Sequence, residues 1–444
     1  MSKRRAPLWF HLPVDSGPPP LVSPTVGFER LVAHGTGERR TRVSVLDSPL
    51  ARLLRAGITV AHRLRGDEPG HWYVAAPGWP GLPDEAVYPI DASGDLPGDI
   101  RRKLQLFLRT HELAPFATIE HDRREFTLRG AAEDLIDIVE DRFSIFRGGE
   151  LVNRVREIKM TPLVTLTAQQ RAFLTAAMTA AEAVQLDEEP TLACRIGPPA
   201  TGPTPYRQPL PVKRDMTLEE FVAERFLGHL NRLMAAELTG SGRCSELAAI
   251  RVTLRGLSSV LEPTWRTECE ARLDRAGSEV DRHSVLPKLM ASLVSAVRAP
   301  KLGDLARRPV GEVLYSRLEQ QLLILFDRCR GLAVNGPEES WSAALRSAEQ
   351  LDATTQVLEP LWPKGFGRLR KEHLGLLDAL RSSLRPPEDI ELVGLSVAEA
   401  FQLGRDMEHA QWTVTSARYE FVGEWPGHVE SGRKQLGKIR KKLL

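Results

Sequence analysis

The stretch from Gly197-Pro198-Pro199 through Pro203, Pro205 and Pro209 to Pro211 belongs to neither a helix nor a central strand, because each proline lacks the N–H that both ladders need. It divides the chain, and the spacing of apolar residues changes across it. Upstream they alternate in short runs, as in strands; downstream they recur at three- and four-residue steps, as on helices. The expected fold class is α+β in two domains, an antiparallel β domain over 25–196 and an all-α bundle over 213–430, joined by a linker over 197–212. The 444 residues suffice for each domain to bury its own core.

Residues 1–24 carry Pro7, Pro13, Pro18, Pro19, Pro20 and Pro24 and read as an extended arm. Its Leu8-Trp9-Phe10 triplet docks either on a partner or back on its own domain. Strands are expected at Val26–Ala33, Thr41–Val45, Ile58–Arg63, His71–Ala75, Ala86–Ile90, Ala117–Glu120, Glu125–Leu128, Leu135–Ile145 and Glu150–Met160, with a helix at Gly98–Thr110. So many short strands imply a closed barrel or a sandwich. Leu166–Gln185, with Thr167 as cap, reads as a closing helix.

Beyond the linker, helices are expected at Leu218–Leu238, Cys244–Leu261, Thr264–Ala276, Val285–Arg298, Arg317–Leu332, Ser340–Leu361, Arg368–Leu384 and Ser396–Tyr419, followed by a basic tail over 431–444. From Lys213 onward 34 lysines and arginines stand against 32 aspartates and glutamates, so the tail's Arg433, Lys434, Lys438, Arg440, Lys441 and Lys442 account for the surplus.

A formal net charge of +2, with 27% charged residues, excludes nucleic-acid binding through bulk positive charge; any polyanion site must be local. Cys194, Cys244, Cys269 and Cys329 form no Cys-x-x-Cys pair, which predicts small buried thiols in a reducing compartment. The absence of a long apolar run predicts a cytoplasmic protein with no membrane partner. Abundant alanine and the excess of arginine over lysine fit a GC-rich bacterial genome. Trp9, Trp72, Trp79, Trp341, Trp362, Trp412 and Trp425 are expected to pack rather than stack on ligands.

Asp47-Ser48-Pro49 starts a helix, Ala56-Gly57 ends it, and Ile58–Arg63 alternates as a strand. The whole of Leu46–Arg63 resembles the segment Tyr-x-Asp-Thr-Pro-x-x-x-Leu-x-x-x-Gly-x-x-Leu-Arg-x-Arg of CYTH domains, the adenylate cyclase and thiamine triphosphatase family, also called triphosphate tunnel metalloenzymes. The helical half, from Asp215-Met216-Thr217-Leu218, resembles the CHAD domain that often follows CYTH in bacteria. The first resemblance implies an eight-stranded antiparallel tunnel whose glutamates place Mg²⁺ or Mn²⁺ and whose lysines and arginines hold a triphosphate.

On that resemblance the family's Glu-x-Glu-x-Lys signature falls on Gly27-Phe28-Glu29-Arg30-Leu31, which keeps Glu29 alone. Ala61 and Arg63 stand where two basic residues are usual, and Val74 replaces a lysine. The arginine-rich strand is matched by Thr118–Arg124 and the last acidic strand by Arg156-Glu157-Ile158-Lys159-Met160. The residual candidates are Arg63, Arg123 and Arg124 for phosphate and Glu29 and Glu157 for metal. Leu31, Ala61 and Val74 cannot supply charge-assisted hydrogen bonds, worth about 1.5–3 kcal/mol each, and this weighs chiefly against phosphate. In the CHAD-like half, the polyphosphate-binding motif His-x-x-Arg-Val-x-x-Arg-Arg-x-Arg is matched by Ala248–Ser258, keeping Arg251 and Arg255, and by Ala343–Ala353, keeping Arg346 with Glu349 and Asp352 added.

The preferred expectation is a non-catalytic binding or scaffold subunit: no catalytic residues, no cofactor, residual polyanion binding at those arginines, and a protein partner at the arm, linker or tail. One alternative is a Mg²⁺- or Mn²⁺-dependent inorganic or nucleoside triphosphatase. The other is a polyphosphate- or nucleic-acid-associated protein using the tail and the cluster Arg368, Arg370, Lys371 and His373, itself read as a solvated helix face.

Overall fold

The structure is a computed structural model that describes residues 6–34, 39–64, 70–90, 95–277, 282–384 and 396–443. Its chain forms two compact units, Met1–Pro205 with Glu237–Thr239, and Tyr206–Ala236 with Gly240–Leu444. The division at Pro205 falls inside the proline-rich stretch.

The first unit contains β1 (Leu8–Leu12), β2 (Arg30–Ala33), β3 (Arg39–Asp47), α1 (Arg52–Arg55), β4 (Thr59–Leu64), β5 (His71–Ala75), β6 (Ala86–Pro89), α2 (Gly98–Leu108), β7 (Ala114–Arg129), β8 (Asp134–Arg147), β9 (Glu150–Pro162), α3 (Ala168–Ala180), β10 (Val184–Leu186) and α4 (Leu192–Ile196). The strands join one sheet in the order β10-β1-β9-β8-β7-β3-β4-β5-β6, with β2 sharing an edge of β7. Every ladder is antiparallel. It is a single sheet rather than a sandwich, and among the described residues no ladder joins β10 to β6, so a barrel's hydrogen-bonded closure is not formed there.

Alternation along the strands sets two faces. Ile136, Ile138, Ile158 and Met160 turn to one of them, where Phe10 and Leu12 of β1 and Leu174 and Met178 of α3 complete a buried core. Val139, Asp141, Phe143 and Lys159 turn to the other, concave face. The Asp47-Ser48-Pro49 turn is a backbone device. The buried Asp47 carboxylate accepts the N–H groups of Ser48 (2.6 Å), Leu53 (3.0 Å) and Leu54 (2.9 Å), tying the end of β3 to the first turn of α1. Burial raises its pKa, against the pull of those hydrogen bonds. Gly57, at φ 75°, then provides the left-handed turn from α1 into β4.

The proline-rich arm is part of the sheet: in β1, Phe10 pairs with Ile158 on one edge and Gln185 on the other. Buried Arg156 donates to Glu140 at 2.7 Å and to the backbone oxygen of Ser16, pinning the turn that follows. The arm's basic start, Lys3-Arg4-Arg5, lies outside the described residues. β7 runs unbroken through His121-Asp122-Arg123-Arg124, where the sequence predicts two shorter strands, because cross-strand partners satisfy its polar side chains: Arg40 for Asp122 and Asp141 for Arg123. The helix expected to reach Gln185 stops at Ala180, after which Glu182 takes a left-handed φ of 59° and the chain returns as β10.

The second unit is helical among the described residues: α5 (Leu218–Thr239), α6 (Arg243–Gly256), α7 (Pro263–Ala276), α8 (Arg282–Arg298), α9 (Val310–Arg330), α10 (Glu338–Leu358), α11 (Pro363–Ser382) and α12 (Val397–Leu443). A reciprocal Thr217–Glu220 capping box starts α5 and left-handed Gly240 ends it. Instead of a separate tail, the basic residues after Ser431 continue α12. Among the described residues no helix is long and apolar enough to cross a membrane. All four cysteines are free, but only Cys269 and Cys329 are buried, with thiols pushed up to about 12 by burial; Cys194 and Cys244 are exposed, against expectation. Trp341 is core, whereas Trp412 is 69% exposed.

Candidate functional site

The concave face of the sheet encloses a cleft of about 390 Å³ lined from β1, β3, β4, β5, β7, β8, β9, α4 and the segment entering α4. Arg63, Arg123, Lys159 and Arg195 bring positive charge to it; Asp141 and Glu189 bring negative charge. Glu157, buried at 2% exposure, pairs across the ladder with Asp141.

Most of this charge is internally committed. Arg123 donates to both oxygens of Asp141, at 2.8 and 3.0 Å, and His121 Nε2 lies 2.6 Å from the same carboxylate. Burial alone would raise the Asp141 pKa, but the hydrogen bonds from His121 and Arg123 outweigh it and hold the group below its ordinary value. Arg123 is raised in turn, chiefly by Asp141. Arg195 donates to both oxygens of Glu157, at 2.8 and 3.1 Å. Phe143 braces both pairs, with the His121 ring stacked 4.5 Å away and the Arg195 guanidinium 4.7 Å from its centroid.

Arg63 and Lys159 differ: among the described residues neither has an ion pair. Arg63 lies 3.7 Å over the Tyr73 ring and Lys159 lies 4.8 Å over Trp9. In each case the cationic group itself lies over the aromatic face.

The fit of Mg²⁺ or Mn²⁺ turns on free oxygen ligands. Mg²⁺ generally uses one or two carboxylates together with substrate phosphates. Asp141 and Glu157 would each have to leave a cation to serve, and among the described residues Glu189 is the lining carboxylate without an ion pair. Among the described residues no group of three or more His, Cys, Asp and Glu side chains is placed to hold a metal. The residues do not fit a metal held by a carboxylate pair.

Of the residues singled out from sequence, Arg63 and Arg123 line the cleft and Glu157 borders it; Arg124 alternates to the other face of β7. Glu29 is exposed, outside the cleft, its N–H donating to the Arg129 carbonyl. Gly27 ends a short turn at φ 86°, so the residues matched to the family signature form a turn and the start of β2. The first strand of the sheet is β1, and its cleft-lining residue is Trp9. Sequence reasoning missed Trp9, Tyr73, His121, Asp141 and Arg195. Period-two alternation along β7, β8 and β9 aligns His121, Asp141 and Glu157 once the register is known; Arg195 sits on a five-residue helix and carries no such signal.

In the second unit a smaller cleft of about 260 Å³ is lined by Arg251 and Arg255 of α6, Glu349 and Asp352 of α10, and Arg381 of α11. Its cations are paired with carboxylates: Arg255 and Arg381 with Glu349, at 3.5 and 3.7 Å, and Arg251 with Asp274. Arg346 is exposed on α10, outside that lining. In the Arg368 cluster, Arg370 pairs with Asp352 and His373 is buried, its Nε2 donating to the Ala348 carbonyl at 2.7 Å, so it is not a uniformly solvated face. Buried His229 contacts Glu246 and Thr253 (2.7 Å); burial takes it below its ordinary pKa, with Glu246 opposing.

No family model matches the chain, and no curated protein does. A solved structure from Bacillus halodurans, described as that of a candidate adenylate cyclase, matches 38% of this chain and 95% of its own length at 11% identity and a TM-score of 0.21, a likeness too slight to carry an argument.

Proposed function

We propose that the chain is a non-catalytic binding subunit of the CYTH–CHAD kind, whose sheet cleft captures an anionic ligand without hydrolysing it. The observation that carries this reading is the commitment of Asp141 to His121 and Arg123 and of Glu157 to Arg195. Metal-assisted phosphoryl transfer needs carboxylates to hold the metal and cations to hold the phosphates; here both buried carboxylates are already held by cations, Asp141 by Arg123 and Glu157 by Arg195. Turning Glu157 toward a metal would strand Arg195, a rupture that costs about 3–5 kcal/mol for buried pairs. The paired arginines of the helical cleft support weak polyanion binding at most.

A protein partner is supported by α12. Phe401, Trp412 and Tyr419 are 65–70% exposed, and their spacing puts them on one stripe of the helix. The test of the main reading is phosphate release from inorganic triphosphate and from ATP with Mg²⁺ or Mn²⁺, for the native chain and Glu157→Gln. No release above the buffer rate is expected; release that disappears in Glu157→Gln overturns the proposal.

A further inference from the structure

We infer that the sheet cleft takes a small amphipathic anion, a molecule with one anionic head and an apolar body, with the head on Arg63. This rests on the reading of the cleft as a binding site and assigns its ligand class. The first support is charge. Once Asp141 and Glu157 have neutralised Arg123 and Arg195, the cations of the lining without an ion pair among the described residues are Arg63 and Lys159, with exposed Glu189 opposing them. That surplus suits one anionic group and falls well short of the several charges of a triphosphate.

The second support is the wall. Val43, Ala61, Ile119, Val139 and Leu192 line the cleft together with the rings of Trp9, Tyr73 and Phe143. Such a surface rewards an apolar body by removing it from water and offers nothing to a bare polyphosphate chain. The volume of about 390 Å³ accommodates a small molecule.

The third support is preorganisation. Arg63 lies on Tyr73 and Lys159 on Trp9, so neither long side chain gives up its full rotamer freedom when a ligand arrives. The planar guanidinium of Arg63 matches a carboxylate or phosphate with two parallel hydrogen bonds, which the lysine cannot do. In the sheet, β3, β7 and β8 lie between β4, which bears Arg63, and β9, which bears Lys159. We therefore assign Arg63 to the head group and Lys159 to the opposite wall, where it raises the potential.

Calorimetric titration of the full chain tests this with three probes: 3-phenylpropionate, the uncharged 3-phenylpropanol and inorganic triphosphate. The acid is expected to bind at least about tenfold more tightly than the alcohol, the effect of roughly one good charge-assisted contact. Arg63→Met should bring the acid to the alcohol's level, Lys159→Met should weaken it less, and triphosphate should bind less tightly than the acid. Should Arg63→Met fail to fold, as judged by its melting profile, Arg63→Lys keeps the charge, removes the fork and should give an intermediate loss. Equal binding of acid and alcohol, or native-like acid binding in the Arg63 variant, overturns the assignment. Triphosphate binding more tightly than the acid overturns the ligand class and leaves the binding reading standing; no binding by any probe overturns both.

Discussion

The sheet cleft and the helical cleft both present arginines, and they differ in what each arginine faces. In the sheet, Asp141 and Glu157 have side chains only 8% and 3% exposed and hold their cations in close, multiply bonded pairs, while Arg63 and Lys159 rest on aromatic rings. In the helical unit, Glu349 and Asp274 are 30% and 69% exposed, and they pair with arginines about half exposed. Buried pairs are costly to break, whereas exposed pairs contribute about 0–1 kcal/mol. The two clefts thus occupy their arginines by different routes: in one the pairs are locked into the fold, in the other they are made with exposed neighbours.

The largest expected effect follows from the locked pairs. Glu157→Ala strands Arg195 and should destabilise the sheet unit by about 3–5 kcal/mol in denaturant unfolding; a change no greater than that of a surface pair would erase the contrast. Asp141→Asn should come next, since it weakens charge-assisted hydrogen bonds of about 1.5–3 kcal/mol each. Its pH signature has a defined sign. Because the folded pKa is depressed, the Asp141 contribution is complete above the ordinary value of 3.8 and is lost as the pH falls through the lower folded value. The asparagine variant should lack that acid dependence.

The helical unit should respond to acid earlier. His229 is depressed from 6.5 chiefly by burial, so its contribution is complete above 6.5 and is lost as the pH falls through its folded value. Acid titration followed by circular dichroism should show helical signal declining before the sheet responds, and His229→Gln should flatten that early phase; simultaneous loss of both would contradict the ordering. The smallest stability effect belongs to Glu349→Gln, under about 1 kcal/mol. The same change frees Arg255 of its carboxylate and leaves Arg381 with Asp378 alone, and retention on immobilised polyphosphate should rise; unchanged retention would show that pairing with Glu349 is not what weakens the helical cleft.

Local signals are readable from sequence where local chemistry decides the structure. Thr167 and Thr217 cap helices as their spacing to Gln170 and Glu220 indicates, and the change of apolar period across the prolines marks the division into units. β1 reads as an arm in sequence because its strand character depends on ladders to residues far along the chain, Phe10 with Ile158 among them, while the surrounding prolines dominate the local signal. Alignment by motif puts the acidic signature at Gly27–Leu31, where the backbone makes a left-handed turn. The pairing of Glu157 with Arg195 joins a strand to a short helix across 38 positions, a spacing that follows from the path of the chain and from no periodicity. Site chemistry is therefore least readable where side chains from distant segments neutralise one another.

The most direct measurement is a Mn²⁺ titration of the full chain followed by the electron paramagnetic resonance of the free ion, with and without inorganic triphosphate. If Asp141 and Glu157 are locked as described, free Mn²⁺ should rise from the first addition as in buffer containing the same triphosphate, for the native chain and Glu157→Gln alike. A stoichiometric site in the native chain that vanishes in Glu157→Gln would show that this carboxylate is available to a metal and would contradict the account.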